Sequence, residues 1–439
     1  MPLAPPPALD IVVQQHAEEA ALLRHSRSSL VRAPHVGLLM LGRHDERIEA
    51  HLDGLHVAGE RGKALLQQAL QDDVGTGSIF AAAVLALRQA DEAWLTELLR
   101  LPPTDHHSGL RSALGWVSAD TLQGVVRKML AAPAAAQRAL AIDACRMHRV
   151  DPGPVLTAAL TDPDAALRAT ALRAAGALAR SDLLGAVRAA IADSEPTVIF
   201  EAACAACRLG ERQASLKVLQ AAALHAQANA PAGPEAAFAG PALALLMAAS
   251  PAGAAQELAR DLSARAQAQP TLAAQRRLVQ ALALLGDTRH VPWLLERMKP
   301  GPLARLAGEA FSWITGIDLA AAGLEQLTPG ADVDADAPGG GPTEEADDEA
   351  LALDPDQDLP WPDAERVQRY WQQHPQSGQR QFMGHAQDDV NALWRVLQQG
   401  NQRQRRHAAL LLALALPQHH LLPVAAPAWR QRRWLKAGV

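Results

Sequence analysis

From Thr161 to Arg180 the apolar positions Leu167, Ala171, Ala175 and Leu178 recur at steps of four, four and three, with Arg168, Arg173 and Arg180 off that line. This spacing lays an apolar stripe along one face of an α-helix and borders it with charge, so the helix needs neighbours on one side only. Asp162 and Pro163 interrupt the chain before it, and Asp164 is placed to cap it. Ser181 then opens a second, shorter apolar line through Leu184, Val187 and Ile191. The pattern predicts two helices joined by a tight turn.

The same punctuation recurs. Pro133, Arg138 and Ala141 stand in the places of Pro163, Arg168 and Ala171, and segments opening at Asp193, Gln269 and Lys299 repeat a proline-containing break followed by a helix rich in small residues. Arg276 and Arg305 take the arginine position in the last two, and weaker copies cover 76–101, 108–130 and 234–262. In-phase arginines of this kind are expected to brace neighbouring helices. Two helices per period of roughly 30 residues is the signature of an α-solenoid. The chain resembles HEAT-like repeats in the short, alanine-rich form also seen in bilin lyases. The expected fold is all-α, with a helical cap over 1–72 and a HEAT-like solenoid over 73–330.

Composition supports a core built from small side chains. Of 439 residues 49% are hydrophobic but only 3% aromatic, so alanine, the best helix former, supplies much of the apolar surface. Charge is sorted along the chain. Residues 331–365 hold 13 acidic residues and no Lys or Arg, whereas 366–439 hold 11 Lys or Arg against two Asp. With Pro338–Pro342 reading PGGGP, the acidic stretch predicts a linker over 331–358 and the remainder a small basic helical module over 359–439. Within that module Val367, Tyr370 and Trp371 share one predicted helix, and Val390, Leu393, Trp394 and Leu397 share another.

Motifs for chemistry are weak. Cys204 and Cys207 are three apart within a predicted helix, with no second pair, and Cys145 takes a similar position in another repeat. Core cysteines in a reducing compartment are the reading, not a zinc site. The 16 histidines are scattered; His106 and His107, like His419 and His420, are adjacent and so point to different helix faces. PGGGP is followed by acids that would repel phosphate, and GTGSIF at Gly75–Phe80 lacks both a phosphate-loop lysine and the GxSxG spacing, so it reads as a turn and cap. No catalytic, metal or cofactor site is expected. The longest apolar runs fall well short of the ~20 residues a membrane span needs, and the first ten residues lack a signal-peptide pattern. A cytoplasmic protein is the expectation.

Several blocks at the ends of the chain carry a more specific resemblance: HAEEAALLRH and RIEAHLDGLHVAGERG near the start, AGEAFSWITGIDL at Ala307–Leu319, DLPWPD at Asp358–Asp363 and GNQRQRRHAALLLAL at Gly400–Leu414. Together they are similar to a proteobacterial family of HEAT-repeat proteins commonly encoded among type VI secretion components. The resemblance implies work on a secreted spike, adaptor or effector and carries no activity or functional residues. A non-enzymatic protein-binding scaffold is therefore expected, with the non-repeating Trp361, Tyr370, Trp371, Arg403, Arg405 and Arg406 as partner-binding candidates. Arg430, Arg432, Arg433 and Lys436, interleaved with Trp429 and Trp434, keep a nucleic-acid binder, glycosylase-like, as the alternative, although the net charge of −6 and the lack of a basic stripe along the repeats disfavour it. A toxin immunity protein is the third reading.

Overall fold

The computed structural model describes residues 9–72, 74–102, 106–225, 237–327 and 356–437. Helices dominate them, and each of the four strands has only two residues. Close contacts divide the chain into two units, Met1–Leu219 with Leu397–Val439, and Gln220–Val396.

The first unit begins with α1 (Asp10–Leu30), α2 (Leu38–Val57) and α3 (Glu60–Asp72), which pack on one another and on α4 (Thr76–Arg88). Helix pairs then follow: α4 with α5 (Glu92–Leu98), α6 (His106–Trp116) with α7 (Val125–Leu130), α8 (Ala135–His148) with α9 (Pro154–Ala159), α10 (Ala165–Ala177) with α11 (Leu184–Ala189), and α12 (Pro196–Arg208) with α13 (Ala214–His225). The longer helices α4, α6, α8, α10 and α12 each pack on the next in sequence order, and the short ones lie against them. This nearest-neighbour order is what repeated helix pairs produce.

Alanine allows the close stacking. Residues Phe200 to Cys207 are buried without interruption, as are Ile79 to Leu87. At Gly176 a Cβ would lie 2.7 Å from the Cα of Ala205, so α10 and α12 approach nearly backbone to backbone.

Two polar devices recur with the repeat. Arg138 donates to the carbonyls of Ala132 (3.0 Å) and Pro133 (2.7 Å) and to Asp162 (2.7 Å) in the next repeat. Arg168 does the same one repeat later, to Asp162 O (2.9 Å), Pro163 O (3.0 Å) and both carboxylate oxygens of Asp193 (3.0 Å). The in-phase arginines thus fasten each inter-repeat turn to its neighbour. The second device is the helix C-terminus. Ala90, Arg149, Ala179 and Gly210 adopt left-handed backbone, and the following N–H returns to a carbonyl of the last turn: Asp91 to Ala86, Val150 to Cys145, Arg180 to Ala175 and Glu211 to Ala206. Each bond reverses the chain into the next helix.

The second unit holds α14 (Ala239–Ala249), α15 (Ala252–Ala268), α16 (Leu272–Leu285), α17 (Val291–Arg297) and α18 (Ala304–Thr315). There follow β1 (Glu325–Gln326), β2 (Trp361–Pro362), α19 (Ala364–Gln373), β3 (Gln381–Phe382), β4 (His385–Ala386) and most of α20 (Val390–Gln399). Helices α14, α16 and α18 stack in order. Phe311, Ile314, Leu294 and Val367 centre their core.

Residues 378–387 run across the C-terminal ends of these three helices. Arg380 donates to Met247 O (2.7 Å) and Ala248 O (2.9 Å) at the end of α14. Gln381 N–H reaches Gly286 O (2.8 Å) after α16, and the N–H groups of Met383 and Gly384 reach Trp313 O and Ile314 O in α18.

Three expectations about domains change. The acidic stretch at 331–358 is largely outside the described residues, but its flanks are not the ends of a tether. Gln326 pairs with Trp361 and Glu325 with Pro362, so the described chain on either side of the stretch meets at one place. Asp356, expected within the linker, is buried and bonded to Arg276, with Nη2 to Oδ1 at 3.0 Å. The expected module at 359–439 is not one body either. Val367, Tyr370 and Trp371 pack with the Phe311 cluster, whereas Ala428 packs with Val36 and Leu41 in the other unit. The run 73–330 is likewise divided, at residue 219. After α20, the chain continues into the first unit as α21 (Gln402–Ala415) and α22 (Ala428–Ala437).

Two glycine exchanges of opposite sign follow from the left-handed termini. Gly286 has φ +70°, and a Cβ there would sit 2.0 Å from the Gln381 carbonyl oxygen, so Gly286→Ala is expected to cost about 2 kcal/mol or more. Ala179, at φ +54°, already carries the strained Cβ, so Ala179→Gly is expected to stabilise by up to about 1 kcal/mol. Thermal melts of the two variants against the parent check both signs.

Candidate functional site

The six candidates are divided between the two units. Trp361, Tyr370 and Trp371 belong to the second unit, and Arg403, Arg405 and Arg406 to the first.

Asn401 caps α21 with a reciprocal capping box through Gln404, which fixes the first turn and the directions of the arginines that follow. Arg405 points inward and is 0% exposed. Its Nε donates to Leu397 O (2.7 Å), Nη2 to Gln431 Oε1 (2.6 Å), and Nη1 to Gln402 Oε1. Burial pushes its pKa down to about 10, which leaves it charged at neutral pH. No partner can reach this side chain, so Arg405 is a structural residue. Arg403 and Arg406 stand nearer the surface and donate to Arg32 O and Val31 O (both 3.3 Å), just past the end of α1.

Arg430 is used in the same way, whereas Arg432 faces Glu46 at 3.7 Å and Arg433 lies 5.5 Å from the Trp429 ring. Arg430, 3% exposed, reaches the Gly115, Trp116 and Val117 carbonyls at 2.8, 3.2 and 2.6 Å, the end of α6. Arg27 of α1 binds the carbonyls of Ala425 and Ala426 (both 3.0 Å) and the Asp45 carboxylate (2.6 Å), which also accepts the Ala428 N–H (2.7 Å). Leu421 N–H donates to Ala177 O at the end of α10. Carbonyls of a last helical turn lack intrahelical donors and carry partial negative charge, which a guanidinium satisfies with several N–H groups at once. Sequence spacing alone carried no sign of Arg430 or of the Arg27–Asp45 pair as anchors, because their partners lie 300 to 400 residues away.

The aromatic candidates are half-buried and retain accessible surface. Arg305 lies 4.8 Å over the Trp361 ring, Tyr370 stacks on His374 at 4.5 Å, and Trp371 meets Phe311 edge-on at 6.1 Å. Trp293, which the sequence reading passed over, joins the same cluster and carries Arg297 at 4.9 Å over its ring. The signal was present as Trp293 and Arg297 four apart on a helix. Helix α17 packs on α19, so Trp293, Tyr370 and Trp371 belong to one aromatic cluster, with Arg297 beside it.

The remaining chemistry is sparse. Cys145, Cys204 and Cys207 are buried free thiols, and burial pushes Cys145 up to about 11 and Cys204 up to about 12, away from the thiolate that nucleophilic or metal chemistry needs. GTGSIF, expected as a turn and cap, is instead the start of a helix: Gly75 is the boundary residue without a capping side chain, Thr76 to Phe80 lie within α4, and Ile79 and Phe80 are core residues. A cleft of about 470 Å³ beside Asp151 and Arg180 is lined by a pair that already satisfy each other, Nη1 to Oδ1 at 2.7 Å. Among the described residues no three His, Cys, Asp or Glu side chains converge as metal ligands, and no helix is long and apolar enough to cross a membrane. Compared with protein-family models, with curated proteins and with solved structures, the chain matches none.

Two expectations follow for the tail. Arg405→Ala leaves a carbonyl and two amide oxygens buried without a donor, and is expected to cost about 2–4 kcal/mol, against less than about 1 kcal/mol for Arg403→Ala, by chemical denaturation. His148 reports the same packing. Its Nε2–H donates to Leu114 O (2.8 Å), and burial, with Arg430 nearby, pushes its pKa down to about 4 from the ordinary 6.5. The unfolded chain therefore binds a proton that the folded chain refuses between those values, and stability present above pH 6.5 is lost as pH falls toward 4. At pH 5 this single histidine accounts for about 2 kcal/mol. His148→Gln, which keeps the donor, is expected to flatten that part of the stability–pH curve; an unchanged slope would show that His148 is not the titrating group.

Proposed function

We propose that this chain is a non-enzymatic protein-binding scaffold or adaptor that works in the cytoplasm, and that its partner is a type VI secretion spike, adaptor or effector. The carrying observation is the α17–α19 surface, where Trp293, Tyr370 and Trp371 are anchored on the core yet remain partly reachable. Aromatic and arginine side chains held rigidly on helices are what protein interfaces use as anchors, because little rotamer freedom is lost on binding. The choice of a secretion-system partner comes from the sequence resemblance. The basic tail supports protein over nucleic acid as ligand, since Arg405 and Arg430 donate to the chain's own carbonyls rather than standing free for phosphates.

The test is capture of purified spike, adaptor and effector proteins by the intact chain. Tyr370→Ala combined with Arg297→Glu is expected to weaken capture by about tenfold or more while helix content stays unchanged. Unchanged capture would move the interface away from this surface. DNA binding without any protein partner, or protection of cells from an expressed toxin, would replace the scaffold reading with one of its rivals.

A further inference from the structure

A row of arginines crosses the stacked helices of the first unit, one on each of α6, α8, α10 and α12: Arg111, Arg146, Arg173 and Arg208. Two buried carboxylates tie the row together. Asp143, 1% exposed, accepts a hydrogen bond from Arg146 Nε at 2.6 Å on Oδ1 and forms an ion pair with Arg111, Nε to Oδ2 at 2.8 Å. Glu201, 8% exposed, receives Arg173 through Nε (3.0 Å) and Nη2 (2.6 Å) on a single oxygen. Arg208 follows Glu201 by seven positions on α12 and therefore projects from the same face.

The carboxylates fix the arginines without exhausting them. Four cations face two anions, and most of the guanidinium N–H groups carry no hydrogen bond among the described residues. Arg208 makes none, and its Nε is buried without a partner. Arg208 as a whole is half-buried, which leaves the rest of its guanidinium donors for an added acceptor. The guanidiniums are within reach: the Arg111 and Arg173 side chains are 47% and 37% exposed. Their local environment is unlike that of Arg405 and Arg430 in the basic tail, which end on helix carbonyls.

We infer that this row is a docking track for an extended acidic segment of a partner protein. Packed helices lie about 8–10 Å apart, and an extended chain in the polyproline II conformation advances about 3.1 Å per residue with three residues per turn, so that every third side chain returns to one face. Acidic side chains at every third position therefore meet successive arginines, each able to take a carboxylate in a two-pronged bond. Asp143 and Glu201 hold the guanidiniums in place before the partner arrives, which reduces the entropy lost on binding. The track shares with the scaffold reading only that the ligand is a protein, and its residues are separate from the aromatic surface.

The test uses the full chain and fluorescein-labelled peptides in anisotropy titrations at low ionic strength. The probes are a peptide of repeated Glu-Gly-Ser triplets, a peptide of the same composition with its glutamates gathered at one end, a Gln-Gly-Ser peptide, and a single-stranded oligonucleotide. The triplet peptide is expected to bind most tightly, and Arg208→Gln and Arg111→Gln to weaken it by about three- to tenfold each. Arg208→Gln removes no hydrogen bond, so the fold is kept, and an unchanged melt verifies this. Tyr370→Ala is expected to leave the titration unchanged. Absence of triplet binding, binding indifferent to both arginine variants, or equal binding of the gathered peptide would overturn the track. Tighter binding of the oligonucleotide through the same arginines would overturn the partner class. Loss of secretion-protein capture in the aromatic variant alone would bear on the scaffold surface and not on this one.

Discussion

Short helices end often, and every end exposes carbonyls that nothing within the helix can satisfy. In this protein that constraint shapes both units. Within the repeats it is met locally, by left-handed residues such as Ala179 and Gly210 that turn the next N–H back onto the last turn. Elsewhere it is met from a distance. Arg430 covers the end of α6, Arg403 and Arg406 stand just past the end of α1, and residues 380–384 cross the ends of α14, α16 and α18. Hydrogen bonds from a charged donor to buried carbonyls are among the stronger ones, and leaving the carbonyls bare would cost more than the bonds contribute. The chain after residue 356 is best understood as the part that closes helix ends.

This explains why sorted charge in the sequence suggested a polyanion-binding module. Counting Lys and Arg treats each as solvated and available. Arg405, fully buried, and Arg430, nearly so, have instead been drawn inside, where the negative ends of helices replace an external anion. The bonds run to backbone, so no acidic residue in the sequence needs to vary in step with these arginines, and no charge pattern reveals them. By contrast, the arginine row on α6, α8, α10 and α12 is held by Asp143 and Glu201, with about one charged contact per repeat, yet the unequal spacing hid it from a reading that looked for a continuous basic stripe.

What the sequence did disclose is local. The period near 30 residues, the cap at Asp164, and the bracing role of Arg138 and Arg168 all follow from spacing within one or two turns or from one repeat to the next. The burial of the cysteines followed from the small-residue helix around them. What stayed hidden depends on the fold being complete. Left-handed backbone at Ala90, Arg149 and Ala179 is invisible without glycine as a marker. The pairing of Gln326 with Trp361, which brings the two flanks of the acidic stretch together, involves strands of two residues that no alternation pattern could announce.

Contacts that join the ends of the chain also change how the repeats should hold together. A stack with only neighbour contacts loses one interface when one end is removed, and its interior is indifferent. Here Arg27 of α1 holds the Ala425 and Ala426 carbonyls, Asp45 of α2 holds the Ala428 N–H, and the Gln402 N–H is held by Val36 O. The first helices and the last are one structural element made of two distant pieces of sequence. Closing it requires the chain to bring together residues nearly 400 positions apart, an entropic cost that local helix pairing does not carry. The repeats between can form from nearby contacts, but the N-terminal helices cannot be a self-sufficient cap. Their charged and backbone partners arrive only with the C-terminal segment, so loss of either end exposes the same buried groups, Asp45 above all, and the two ends stand or fall together.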